Sequence, residues 1–99
     1  MAHMFGNELK RMPLYTSAEG GEAGHIAVHD DGIVIDDGKD FKVPVHKSLI
    51  EAVSVQKALA QNKFEVNLRY YNFMGATMEM TFVLADEDYK FLAAKVSRR

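Results

Sequence analysis

The sequence contains no cysteine. This absence excludes disulfide bonds, zinc–thiolate centres, iron–sulfur clusters and thiol nucleophiles. The sequence also lacks an apolar run of the roughly 18 to 20 residues that a membrane-spanning helix needs, and its N-terminus lacks the basic and apolar segments of a signal peptide. We therefore expect a soluble, cytoplasmic protein without a membrane partner.

An excess of positive charge is absent as well. Twelve Lys and Arg residues stand against 14 Asp and Glu residues, which gives a formal net charge of -2. Such a chain has no global field that attracts nucleic acid. It also has no Gly-rich phosphate loop that leads into a Lys-bearing helix, and no serine in a nucleophile elbow. We expect no enzymatic activity, no cofactor and no nucleic-acid partner.

The length and composition are those of one small globular domain. The chain has 99 residues, of which 47% are hydrophobic and 26% charged, enough for a single core. Residues 1–4, Met-Ala-His-Met, resemble an expression remnant because a second methionine follows the first within four residues. The predicted domain therefore covers residues 5–99.

The first half of the chain alternates apolar and polar residues with the period of a β-strand. Three strands are predicted, separated by two Asp-Asp-Gly turns, at residues 25–29, 33–35 and 41–45. Together they form a β-meander. An earlier strand within residues 7–17 contains Pro13, which cannot donate to a ladder, so this strand is predicted at a sheet edge.

The last third predicts a hairpin followed by a helix. Residues 63–72 and 78–84 alternate apolar and polar side chains on either side of a turn at Gly75. Asp86 is a natural N-cap for a helix over residues 86–96. The apolar residues of that segment recur at i, i+3, i+4 and i+7, namely Tyr89, Leu92, Ala93 and Val96.

Residues 48–61 are ambiguous. Ser48 and Glu51 match a capping box, and several good helix formers follow. Ile50, Val53 and Val55 fit a strand equally well, with a hairpin loop within residues 58–63. Both structures remain open on these residues alone.

The order of these elements resembles the pleckstrin-homology-like superfold, particularly its GRAM-type and prokaryotic members. The segments that carry the resemblance are Gly32 to Ile35, Val43-Pro44-Val45, Ile50, Val53, Phe64 to Tyr70, Met78 to Leu84 and Asp86 to Val96. The resemblance implies a strand at residues 48–55 and a role as a non-catalytic adaptor. The chain lacks the Trp common in eukaryotic members, and its loop at residues 19–24 is acidic where lipid-binding members are basic, so lipid binding is not implied.

The predicted fold is therefore mainly β: an antiparallel sheet or a partly open barrel with a C-terminal helix. The alternative is an α+β sandwich in which residues 48–61 form an additional helix.

The surface predicted to bind a partner is the outer side of the strand at residues 63–72. Its residues Arg69, Tyr71 and Phe73 face away from the expected core, and Tyr and Arg are enriched in binding hot spots. With Val83 they suggest an apolar patch that a protein partner or a second copy would cover. The first functional hypothesis is thus a protein-interaction module of a regulatory or signalling assembly, whose partner is another protein or, in a homodimer, a second copy of the chain.

The second hypothesis is a small-ligand or metal site in residues 25–46. Acidic residues are concentrated between residues 19 and 40, where Lys39 is the single Lys or Arg. The candidate zinc or nickel ligands are His25, His29, His46, Asp30 and Asp31. The simpler interpretation is that the Asp residues form solvated turns and the histidines are exposed on their strands.

Overall fold

The computed structural model describes residues 5–17, 19–39 and 41–96. The predicted expression remnant at residues 1–4 lies outside this part of the chain. Within the described residues seven strands, a 3-10 turn at Lys47–Leu49 and one α-helix follow in order: β1 Glu8–Tyr15, β2 Glu22–His29, β3 Gly32–Asp36, β4 Lys42–His46, β5 Ile50–Leu59, β6 Lys63–Tyr71, β7 Thr77–Ala85 and α1 Asp86–Val96.

All seven strands belong to one antiparallel sheet in the order β4-β3-β2-β1-β7-β6-β5. Strands β4 and β5 are its two edges, so the sheet stays open and does not close into a barrel. The predicted class is confirmed: the protein is mainly β, with an antiparallel sheet and a C-terminal helix. Within the described residues no helix is long and apolar enough to cross a membrane.

Strand β1 is not the edge strand that Pro13 predicted, because it lies between β2 and β7. Its ladder with β2 includes Pro13 opposite His25, whereas its ladder with β7 consists of the single pair Tyr15 and Val83. Pro13 is tolerated because β7 does not pair with β1 at that position, so the missing N–H removes no bond from this side.

Residues 48–61 do not form the alternative α-helix: Ile50–Leu59 are strand β5, and residues 48 and 49 belong to the 3-10 turn. Strand β5 pairs with β6 from Ile50 opposite Tyr70 to Leu59 opposite Lys63. The hairpin between them turns through Gln61 and Asn62, both with positive φ, at 61° and 58°. Ser48 does not cap a helix, since its backbone N–H donates to the Nδ1 atom of His46 at 3.1 Å. Pairing with β6 therefore outweighs the local helix propensity.

One hydrophobic core joins both halves of the sheet to the helix. Its fully buried side chains come from both halves and from α1: Met12, Ile26, Val28, Ile33 and Val45, then Ile50, Val66, Leu68 and Leu84, and Leu92 of the helix. The helix covers the inner face of the β5–β7 half and begins at Asp86 and ends at Val96, as predicted. This packing leaves the β6–β7 hairpin with an outer face and a projecting tip.

Candidate functional site

The β6–β7 hairpin is the most regular element of the fold. Its nine register pairs run without a shift from Lys63 opposite Ala85 to Tyr71 opposite Thr77. Alternate residues of β6 face the core, including the buried Val66, Leu68 and Tyr70. The predicted hairpin is therefore confirmed, and its turn comprises residues 72–76.

Asn72 fixes the shape of this turn. Its Oδ1 atom accepts hydrogen bonds from the backbone nitrogen atoms of Met74, at 2.9 Å, and of Ala76, at 3.0 Å. The backbone adds two bonds at 2.9 Å, from the N–H of Asn72 to the oxygen of Ala76 and from the N–H of Gly75 to the oxygen of Asn72. Gly75 has a φ of 84°, a conformation that glycine adopts without strain. The turn thus has a defined conformation.

The fixed turn presents two apolar side chains to solvent. Phe73 is 93% exposed and Met74 is 79% exposed, the highest values among the large apolar residues of the described chain. Met78, the second residue of β7, lies next to the turn and is 41% exposed. We call Phe73, Met74 and Met78 the hairpin tip. No residue between 72 and 78 is charged, so the tip is an uncharged apolar projection.

Arg69 and Tyr71 lie beside the tip on the outer face of β6, and each contacts a carboxylate on a neighbouring strand. The Nη2 atom of Arg69 is 3.5 Å from Oε1 of Glu79 on β7. The hydroxyl group of Tyr71 donates to Oε2 of Glu51 on β5, at 3.2 Å. These contacts place two polar groups next to the tip on the outer face of the sheet.

The structure brings the three predicted partner-binding residues together on one hairpin but gives them different surroundings. Phe73 is exposed in the turn, Arg69 is exposed on the strand, and Tyr71 is half-buried. Val83 is also half-buried, opposite Tyr15. Tyr71 and Val83 are therefore partly covered within the single chain, whereas Phe73 is not.

The predicted metal ligands do not converge. Among the described residues no group of three His, Asp or Glu side chains is placed to hold a metal ion. Asp30 accepts a hydrogen bond from the backbone nitrogen of Asn7 at 2.9 Å. Asp31 lies 3.5 Å from the Nζ atom of Lys47. Both carboxylates therefore have structural partners in the fold.

His25 and His29 line one shallow depression together with Glu8 and Asp36, whereas His46 does not line it. His29 is buried, contrary to the expectation of an exposed strand residue, and its Nδ1 atom lies 3.1 Å from the carbonyl oxygen of Gly6. The Nε2 atom of His25 is 3.8 Å from Oδ2 of Asp36. His46 packs edge-to-face on Phe5 with a centroid distance of 5.7 Å. These contacts support structural roles.

A shallow depression of about 440 Å³ lies beside β1 and β2 and is lined by Arg11, Pro13, Glu22, Gly24 and His25. Its Arg11 is already paired, since Nη2 donates to Oε1 of Glu8 at 2.9 Å. This hydrogen bond, with the Arg11 charge, lowers the pKa of the Glu8 carboxyl group. Arg11 is therefore not a free positive charge in this depression.

A scan against protein-family models finds no match to this chain, and no curated protein matches it significantly.

Proposed function

We propose that this protein is a non-catalytic protein-interaction module whose hairpin tip inserts into an apolar pocket of a partner protein. The observation that carries the proposal is the exposure of Phe73 and Met74 on a turn that Asn72 holds in one conformation. The pleckstrin-homology-like resemblance, which implies an adaptor role, remains a prediction that agrees with this proposal.

The energetics of the tip support binding. Burial of an apolar side chain of this size contributes about 1.5–3 kcal/mol. A turn that is already ordered loses little conformational entropy on association, so more of that free energy is available for binding. Arg69 and Tyr71 lie at the border of the same surface, where polar groups fix orientation more than they add affinity.

A protein partner fits the tip better than a lipid surface does. Anionic membranes attract clusters of Lys and Arg, whereas residues 72–78 carry no charge and the nearest Arg69 is paired with Glu79. The proposed partner therefore presents an apolar pocket with a polar rim.

The test is affinity capture from source lysate with three baits: the wild type, Phe73→Ser combined with Met74→Ser, and Phe41→Ser. Phe41 is a matched control because it is also an exposed phenylalanine, 57% accessible, but it lies before β4, outside the hairpin tip. We expect a specific partner whose recovery falls at least tenfold with the tip variant and stays unchanged with the control.

A photoreactive phenylalanine analogue at position 73 then identifies contact directly. We expect it to cross-link the captured partner, and the same analogue at position 41 to leave it unlabelled. Equal recovery by all three baits, with equal labelling from both positions, would contradict the proposed binding site.

A further inference from the structure

Strand β5 forms one edge of the sheet and lacks the short length and the proline that protect the other edge, β4. Strand β4, the opposite edge, has five residues and carries Pro44, a residue that blocks further pairing. Strand β5 has ten residues, and seven of its eight residues from 51 to 58 are exposed. Its stretch from Ala52 to Gln56 contains no charge, proline or glycine. Two irregularities of the ladder, between Ile50 and Ala52 and between Val55 and Lys57, bound this stretch, and the edge between them is suited to pair with another strand.

From its register and charges we infer that β5 pairs antiparallel with β5 of a second copy of this chain, about a two-fold axis at Ser54. In this register Val53 lies opposite Val55 of the second copy, and Ala52 lies opposite Gln56. Glu51 lies opposite Lys57 of the second copy, and the symmetry repeats that pair on the other side. The interface is isologous, because each contact occurs twice.

The faces of these residues agree with this pairing. Val53 and Val55 pair with Leu68 and Val66, both buried, so their side chains share the inner face of the sheet. Directly opposed residues of antiparallel strands lie on one face and contact each other. Val55 is 38% exposed in the single chain, and Val53 of the second copy would cover it.

The two charges lie together on the outer face. Glu51 contacts the hydroxyl group of Tyr71 on that face, and Lys57 pairs with Glu65, whose neighbours Phe64 and Val66 face inward. Between Ile50 and Ala52, and again between Val55 and Lys57, β5 has one residue more than β6. In a regular strand, Glu51 and Lys57 would lie on the same inner face as Val53 and Val55. Each shift adds one residue and reverses the alternation, so Glu51 and Lys57 both lie on the outer face.

Charge also selects the register. A shift of two residues in either direction would place Glu51 or Lys57 opposite an apolar residue and remove both ion pairs. Opposite charges in cross-strand pairs stabilise a sheet, and a charge opposite a valine does not. The register centred on Ser54 is therefore the self-complementary one. It leaves the hairpin tip of each copy unused, so this inference does not depend on the proposed function.

The absence of cysteine permits a direct test with Ser54→Cys. In the proposed dimer, residue 54 of one copy lies directly opposite residue 54 of the second copy. The two Cα atoms would be about 4.5 or 5.5 Å apart, within the roughly 4.4–6.8 Å that a disulfide spans. Gln56→Cys is the matched control on the same exposed edge, since Ala52 would face it. Under mild oxidation we expect Ser54→Cys to form disulfide-linked dimers at least ten times faster than Gln56→Cys.

A charge exchange tests the unmodified interface. Sedimentation over a concentration series into hundreds of micromolar should show reversible dimers of the wild type. Glu51→Lys and Lys57→Glu should each weaken the dimer at least fivefold, and their combination should restore most of the loss. Thr81→Lys, on an exposed position of the interior strand β7, should change nothing.

Three results would each overturn the inference. They are a monomeric wild type at the highest concentration, equal cross-linking rates for Ser54→Cys and Gln56→Cys, and loss of dimers on replacing Phe73 and Met74. Circular dichroism of every variant, with its thermal midpoint, separates a lost interface from a lost fold.

Discussion

The Oδ1 atom of Asn72 accepts a hydrogen bond from the backbone N–H of Met74, with a nitrogen–oxygen distance of 2.9 Å. The same oxygen also accepts from Ala76, so one side chain satisfies two backbone donors within a five-residue turn. The exposed apolar tip therefore depends on a polar side chain beside it.

Replacing Asn72 tests this dependence. We expect Asn72→Ala to lower the free energy of unfolding by about 1–2 kcal/mol, since a hydrogen bond contributes about 0.5–1.5 kcal/mol, and to speed amide exchange at Met74 and Ala76. Asn72→Asp keeps an oxygen acceptor at the same position and should retain most of the protection. Hydrogen exchange measured by NMR decides between them, and equal protection in the alanine variant would contradict the role of Asn72.

Leu92 is the most deeply buried side chain of α1 and is fully enclosed in the core. Leu92→Ala removes most of this side chain and leaves a cavity in the shared core, so we expect a loss of about 2–5 kcal/mol. Ala94→Gly on the exposed side of the same helix is the control, with an expected loss of about 1 kcal/mol from helix propensity alone. Urea unfolding curves measure both. Similar losses in the two variants would show that α1 is only loosely attached.

The elements that could be predicted are those in which the hydrophobic pattern and the residues at the ends of the segment indicate the same structure. Helix α1 has both an acidic N-terminus and an apolar stripe, and its predicted limits match the structure. The β6–β7 hairpin combines strict alternation with a glycine turn. Residues 48–61 lacked such agreement, because their propensity favours a helix while their pairing partner, β6, lies later in the sequence. Pairing between strands is not contained in the local pattern.

The candidate site could also be predicted only in part, because some of its features depend on contacts between distant parts of the chain. Phe73 was identified from its position after an amphipathic strand, but the exposure of Met74 depends on how the turn projects from the sheet. A signal was present, since two consecutive apolar residues next to Gly75 have no strand period to bury them. The burial of His29 depends on Gly6, 23 residues earlier, and no local pattern indicates it.

Gly24 in β2 and Gly21 just before this strand should respond differently to alanine. Gly24 has a φ of 125°, and a Cβ atom there would lie 2.1 Å from the backbone oxygen of Asp36. Gly24→Ala should therefore destabilise the protein by about 1–3 kcal/mol. Gly21 has open space around it and no such φ, so Gly21→Ala should be neutral or stabilise by up to about 1 kcal/mol. Thermal unfolding of both variants provides the comparison, and equal midpoints would contradict the close approach of Gly24 to β3.

The Glu8 carboxyl group should titrate below its usual range. The hydrogen bond donated by Arg11, at 2.9 Å, is the largest cause of this lowered pKa, and the charge of Arg11 acts in the same direction. A lowered pKa means that the ionised form is favoured in the folded state, so this contact stabilises the fold above the unfolded pKa of Glu8 and is lost as the pH falls through the folded pKa. Because the pair is exposed, its effect on stability is small, and the sensitive readout is the carboxyl chemical shift of Glu8 during an NMR titration. Arg11→Gln should raise this pKa towards its ordinary value, whereas Lys39→Gln, in the β3–β4 turn, should leave it unchanged. An unchanged pKa in the Arg11→Gln variant would show that another group holds the carboxylate.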